Sequence, residues 1–252
     1  MSDERKVLIE ARDLTIGYGE RIVLEKINFK VRRGEVFAIL GASGSGKSTL
    51  LKHLIGLYPP VSGDVLISGD NLVRAEGEER LAILRRFGVL YQGAALFGSL
   101  TTFENVRLPL DEFTSLPEIA KDLIALSKLR LVGLEAAATR LPADLSGGMQ
   151  KRAGIARAIV LDPCVLFLDE PSAGLDPITS AGLDALIREL ARGLGITFVM
   201  VTHELASIFS VADRVVVLDP KERSIVAEGQ PAWLREHAPL TWVRQFLNRE
   251  VS

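Results

Sequence analysis

The chain has 252 residues, 30 Lys and Arg against 32 Asp and Glu, and a formal net charge of -2. That is length enough for one large domain with its own apolar core, and the near-neutral balance supplies no global field to draw nucleic acid or a lipid surface. The single cysteine, Cys164, excludes an internal disulfide, and the charged opening MSDERKVLIE lacks the apolar run of a secretory signal, so a cytoplasmic protein with no nucleic-acid partner is expected.

Mean hydropathy is +0.23, yet the apolar stretches VLFL, FVMV and VVVL are short, far below the roughly 20 residues that span a bilayer. They predict buried strands of a parallel sheet, apolar on both faces. A membrane role would need a separate partner.

In chain order, LIEARDLTIGYG alternates apolar and polar residues through Leu14, Ile16 and Tyr18, the period of a half-exposed strand in antiparallel sheet. EVFAIL then runs apolar into the glycine turn GASGSGKST, after which Leu50, Leu51, Leu54 and Ile55 share one helical face and Gly56 supplies a stop. His53 is expected on the polar side of this helix. YPPVSGDVLISGD is turn chemistry around a short strand. From about residue 101 to 144 the strand signal disappears and PEIAKDLIALSKLRLVGL carries helical spacing, which predicts a helical insertion. Strands resume at CVLFLD, ITFVMVTH and DRVVVLD, with the helical SAGLDALIRELARGLG between them, so the insertion splits the sheet core. Cys164, just before the first of these strands, reads as a core thiol. The tail LTWVRQFLNREVS places Leu240, Val243, Phe246 and Leu247 on one helical stripe.

The turn comprises Gly41, Ala42, Ser43, Gly44, Ser45, Gly46, Lys47, Ser48 and Thr49. Two glycines separated by four residues, then lysine and a hydroxyl, between an apolar strand and an amphipathic helix, form a phosphate-binding loop. Backbone N–H groups wrap the phosphates, Lys47 reaches the β and γ phosphates, and the Ser48 hydroxyl can bind Mg²⁺. VLFLDE ends a buried strand in two acids. Asp169 is placed to hold Mg²⁺ and Glu170 to polarise the water that attacks the γ phosphate. A second glycine turn, DLSGGMQKR, opens a helix about a hundred residues further on, and one nucleotide needs only one primary cradle.

These residues together resemble those of ATP-binding cassette proteins over nearly the whole chain. The resemblance implies a P-loop, RecA-like α/β core with an antiparallel β subdomain and an inserted α-helical subdomain. It divides the chain into residues 1–92 and 160–230 for the core and β subdomain, 93–159 for the helical subdomain, and 231–252 for a helical tail. Leu145, Ser146, Gly147, Gly148 and Met149 look like the family's signature loop, with Met149 where glutamine is usual. In the family that loop caps the ATP held by a second copy in a head-to-tail dimer. Gln92 resembles the glutamine that touches Mg²⁺ and the lytic water, against a solvated loop glutamine as alternative. Asp176 resembles the carboxylate of the loop that meets the partner cassette, against a helix cap. His203 resembles the histidine that contacts the γ phosphate. Tyr18 resembles the aromatic that stacks on adenine, although it shares a strand face with Leu14 and Ile16 and could pack there.

Within the family, YQGAALFGSLTTFENVRLPL and LSGGMQKRAGIARAI look most similar to the ATPase subunits of Mla/Mce-type lipid transporters. That similarity implies ATP and Mg²⁺ as cofactors, a second copy of the chain, an integral membrane permease docking on the step from Ala94 to Phe97, a lipid-binding Mce-type protein with accessory subunits, and a place on the cytoplasmic face of a bacterial inner membrane. Lipoprotein release, small-molecule uptake and a non-transport cassette ATPase are the alternatives.

Overall fold

The computed structural model describes residues 6–249; the first five residues of the charged opening and the last three of the tail lie outside it. Two sheets organise the chain. Strands β1 (Val7–Tyr18) and β2 (Arg21–Arg32) pair antiparallel, and β3 (Val36–Gly41) then leaves for the second sheet. Helix α1 (Lys47–Leu54) follows, and β4 (Ser62–Ile67) returns to pair antiparallel with β1 and with the short β5 (Asp70–Asn71). The first sheet therefore has the order β2-β1-β4-β5. Alternation puts Leu14 and Ile16 of β1 and Leu24, Ile27, Phe29 and Val31 of β2 in its core.

After α2 (Gly77–Leu84) and β6 (Phe87–Leu90) come the helices α3 (Thr102–Phe113), α4 (Glu118–Leu131) and α5 (Gly147–Ala158). The chain re-enters the sheet with β7 (Val165–Asp169), followed by α6 (Pro177–Leu194), β8 (Thr197–Val201), α7 (Leu205–Val211), β9 (Arg214–Asp219) and β10 (Ser224–Gly229). The tail forms α8 (Pro231–His237) and α9 (Thr241–Asn248). The second sheet has the order β10-β9-β3-β8-β7-β6, parallel except for the edge strand β10. Every residue of β3, β7 and β8 is buried, as both-sided burial of a parallel sheet requires. This is the α/β core, antiparallel subdomain and helical insertion expected of the sequence.

Three details correct it. His53 is 1% exposed rather than on a polar face, because α1 is roofed by Tyr18 and Tyr58, whose ring centroids lie 6.3 and 6.0 Å from the imidazole. Its Nδ1–H donates to the Thr49 carbonyl at 2.8 Å. Leu240 precedes α9 as its N-cap residue and is exposed, leaving Val243 and Leu247 as the buried stripe with Phe246 packed partly against the core. Cys164 is only half buried, its Sγ 3.2 Å from the Arg86 carbonyl.

Candidate active site

Five parallel strands send their carboxyl ends to one edge of the sheet, and that edge gathers segments far apart in sequence. The glycine loop follows β3, Gln92 follows β6, Asp169 and Glu170 end β7, and His203 follows β8. These segments surround a cavity of about 640 Å³, lined by Tyr18, Lys47, Ser48, Thr49, Gln92, Glu170 and His203 and by Gly41, Ala42, Ser43, Gly44 and Gly46, while Asp169 and Ser45 stay outside its lining.

The loop's shape comes from its backbone. Gly46 has φ +93, and a Cβ there would lie 2.7 Å from Cγ1 of Val23, so both conformation and space demand glycine. Lys47 folds back along the loop and its ammonium donates to the carbonyls of Gly41 (2.9 Å) and Ala42 (3.1 Å). Burial pulls its pKa below the usual lysine range, opposed by the carboxylates of Glu170 and Asp169. Ser45 contributes only main chain. Its N–H donates to the Ala42 carbonyl at 3.1 Å, and its side chain is enclosed behind Gly41, where a Cβ would meet its oxygen at 2.4 Å.

The two adjacent acids part company at the strand end. Asp169 accepts from the Ser48 hydroxyl at 3.1 Å. Burial holds its carboxyl above the ordinary carboxylate range, and the Ser48 bond only partly offsets this. Glu170 turns the other way on a left-handed backbone, φ +47. Its N–H donates to the Val201 carbonyl at 2.8 Å and its Oε1 accepts from His203 Nδ1 at 2.9 Å. The remaining oxygen, Oε2, is enclosed with no hydrogen-bond partner among the described residues, an unsatisfied acceptor of the kind found at functional sites.

Tyr18 ends β1 at 44% exposure, unlike Leu14 and Ile16, which are fully enclosed. Its ring meets Tyr58 edge-on at 5.5 Å and its hydroxyl lies 3.4 Å from the Thr49 hydroxyl. An open aromatic face therefore borders the cavity.

The second glycine turn is not part of this wall. Leu145 is buried in the apolar core of the helical layer. Ser146 caps α5, its hydroxyl accepting from the Met149 N–H at 3.3 Å, and Gly147 and Gly148 form the first turn. Met149 packs against the same core. Asp176 caps α6: it accepts the N–H groups of Ile178 and Thr179, both at 3.0 Å, and the Thr179 hydroxyl at 2.5 Å. These bonds draw its pKa down. None of these six residues lines the cavity. Sequence reasoning missed Arg21, Val23 and Phe246, which do. No local signal marked them: Phe246 read only as one of four residues on a helical stripe, and Arg21 and Val23 sit on a strand whose position over the loop is a tertiary fact.

A glycine loop between a buried strand and a helix, a lysine folded onto it, and a hydroxyl and carboxylate pair at the adjoining strand end define a nucleoside triphosphate site of the P-loop class. The family model described as "ABC transporter" matches residues 24–173. The intermembrane phospholipid transport system ATP-binding protein MlaF of Haemophilus influenzae is 40% identical over 243 residues, covering 96% of this chain and 91% of that protein. The probable ribonucleotide transport ATP-binding protein mkl of Mycobacterium leprae is also 40% identical, over 242 residues, covering 96% of this chain and 69% of that one. Among solved structures, the ATP-binding cassette MJ0796, a dimer in a post-hydrolysis state bound to ADP and Pi, superposes with a TM-score of 0.79 at 31% identity, over 88% of this chain and 98% of that chain. The chain belongs to the ABC transporter family, as an ATP-hydrolysing cassette subunit.

Proposed function

We propose that this cassette drives transfer of phospholipid or a related lipid, as a head-to-tail dimer beneath a separate integral membrane permease on the cytoplasmic face of a bacterial inner membrane, with a lipid-binding Mce-type protein and accessory subunits completing the system. The observation that carries the lipid reading is the 40% identity to a phospholipid-transport ATPase over 96% of the chain. The residues flanking the catalytic motifs support it: Ala95, Leu96 and Phe97 shortly after Gln92, and Met149 in the signature. No helix among the described residues is long and apolar enough to cross a membrane, so the lipid path would belong to the permease.

Chemically, Lys47 and the loop N–H groups bind the phosphates, and Glu170, which lines the cavity and is steadied by His203, accepts a proton from the attacking water. His203 and Lys47 are then placed to stabilise charge on the γ phosphate. The Ser48 hydroxyl and the Asp169 carboxylate, 3.1 Å apart, with the Gln92 amide, are hard oxygen donors that fit Mg²⁺. A bound Mg²⁺ would neutralise phosphate charge. Ser146, Gly147 and Gly148 cap the partner's nucleotide rather than their own, which accounts for a second cradle absent from this cavity. Tyr18 offers its exposed ring to the adenine. For the permease dock, Phe97, 54% exposed, is the member of the step open to a partner, while Ala94 is buried. An apolar groove that includes Tyr91, next to Gln92 in sequence, is also lined by Leu81, Pro109 and Phe113.

The equal identity to a protein named for ribonucleotide transport makes nucleotide cargo the second reading. Purified with its permease in phospholipid vesicles, the complex should move a fluorescent phospholipid in an ATP-dependent manner. ATP-dependent uptake of a labelled ribonucleotide, without lipid movement, would reverse the assignment.

A further inference from the structure

Helix α5, which begins at the second glycine turn, carries a buried cation, Lys151, and a half-buried one, Arg157, and neither has a carboxylate within salt-bridge distance among the described residues. Lys151 is 5% exposed, and its ammonium donates to the main-chain carbonyls of Gln92 and, at 3.3 Å, Glu170. Arg157, further along the same helix, donates to the carbonyls of Ala94 and Ala95, both at 2.8 Å. Burial draws down the pKa of each. Taking a cation out of water is costly unless its donors are satisfied. Here the satisfying oxygens all belong to the two segments that carry the amide and carboxylate of the cavity.

Both segments include strained backbone. Ala94 (φ 58), Ala95 (φ 50) and Glu170 (φ 47) hold left-handed backbone without being glycine, a conformation that persists where surrounding contacts over-determine it. Gly154 allows α5 close enough to do so, since a Cβ there would come within 2.5 Å of Leu90 Cδ1 and 3.4 Å of Ala94 Cβ.

We infer that Lys151 is a positioning residue for hydrolysis, tying Gln92 and Glu170 to one helix and so fixing their separation, with Arg157 holding the turn that follows Gln92. Since α5 opens at Ser146, Gly147 and Gly148, a nucleotide meeting that turn shifts the same rod that holds the catalytic loops of its own chain. The inference rests on the roles proposed for Gln92 and Glu170.

The test uses the full chain assembled with its permease, and reads ATP turnover, nucleotide affinity by titration with a fluorescent ATP analogue, and thermal stability. Lys151→Met should lower kcat by about 10- to 100-fold, the effect of misplacing a catalytic group by about 1 Å, with affinity changed less than about threefold, and Lys151→Arg should recover part of the loss. Because Lys151 acts through Glu170, the Lys151→Met loss should largely vanish in a Glu170→Gln background, whereas an unrelated structural defect would multiply with it. If Lys151→Met does not fold, Lys151→Gln, which keeps two N–H donors without the charge, is read by the same criteria. Turnover within twofold of the parent in a folded Lys151 variant, affinity lost in step with kcat, or fully multiplicative losses would each overturn the inference. Near-parent turnover in Glu170→Gln alone would instead remove the reading of Glu170 on which it depends.

Discussion

At the scale of single residues, the site divides labour between two adjacent acids by turning them in opposite directions. Glu170 faces His203 and keeps one buried oxygen free, which is the arrangement a base needs. Glu170→Gln should therefore retain nucleotide binding in an equilibrium titration while turnover falls roughly 10²- to 10⁴-fold, the usual weight of a general base. Asp169 has the opposite character: burial resists its charge. A carboxyl whose folded pKa is raised contributes stability that is complete below the unfolded pKa and is lost as pH rises through the folded value. In nucleotide-free protein near neutral pH Asp169 is thus a destabilising group. Asp169→Asn should raise the melting temperature of the nucleotide-free chain at neutral pH, and the gain should shrink as pH falls into the carboxylate range. A melting temperature that drops in the variant across the whole range would contradict this account. The same substitution should weaken binding of Mg²⁺-ATP.

At the scale of elements, helix termini carry both structure and chemistry. Asp176 uses both carboxylate oxygens on the first turn of α6, so its local role in one chain is that of a cap. Asp176→Ala should lower the melting temperature by about 2–4 °C, the shift typical for loss of one cap in a domain of this size. Its depressed pKa makes the cap effective above the ordinary carboxylate range, with the benefit lost as pH falls through the lowered value; the gap to the alanine variant should narrow in acid, as differential scanning calorimetry can record. The loop after Gln92 behaves differently. Phe97 is exposed while its backbone N–H and carbonyl are both held by the Asn105 side chain, at 2.8 and 3.1 Å. A fixed backbone presenting an apolar ring to solvent suits a partner contact. Phe97→Asp should leave the isolated subunit's ATPase largely intact and reduce co-purification with the permease; unchanged recovery of the complex would place the dock elsewhere.

At the scale of the whole molecule, the proposed head-to-tail dimer would have one chain present half of each of two nucleotide sites. The glycine loop exposes Ser43, and the approach to the signature exposes Asp144, whereas Ser45 and Leu145 point into their own cores and are poor probes. With Cys164 replaced by serine, a Ser43→Cys chain mixed with an Asp144→Cys chain should crosslink through a short bismaleimide only when ATP is present and Glu170→Gln holds it. On that reading, nucleotide between the two surfaces would supply much of the attraction that closes the dimer. Crosslinking that proceeds equally without ATP, or only within a chain carrying both cysteines, would break the head-to-tail reading.

Local chemistry made much of this visible from sequence alone. The spacing of Gly41, Gly46, Lys47 and Ser48 encodes a loop because glycine conformation and the strand-to-helix context are properties of neighbouring residues, and the apolar runs ending at Asp169 and before His203 announce buried parallel strands for the same reason. What only the tertiary structure decided concerns groups whose environment comes from elsewhere in the chain. His53 is covered by Tyr18 at the end of β1 as well as by Tyr58, and Arg21, Val23 and Phe246 reach the cavity from the first sheet and a tail helix. Lys151 is the sharpest case. Nothing in LSGGMQKRAGIARAI marks it, and only the packing of α5 against β6 and the segments that follow β6 and β7 buries it and presents it with the carbonyls of Gln92 and Glu170, because burial and long-range hydrogen bonds depend on contacts that no local pattern specifies.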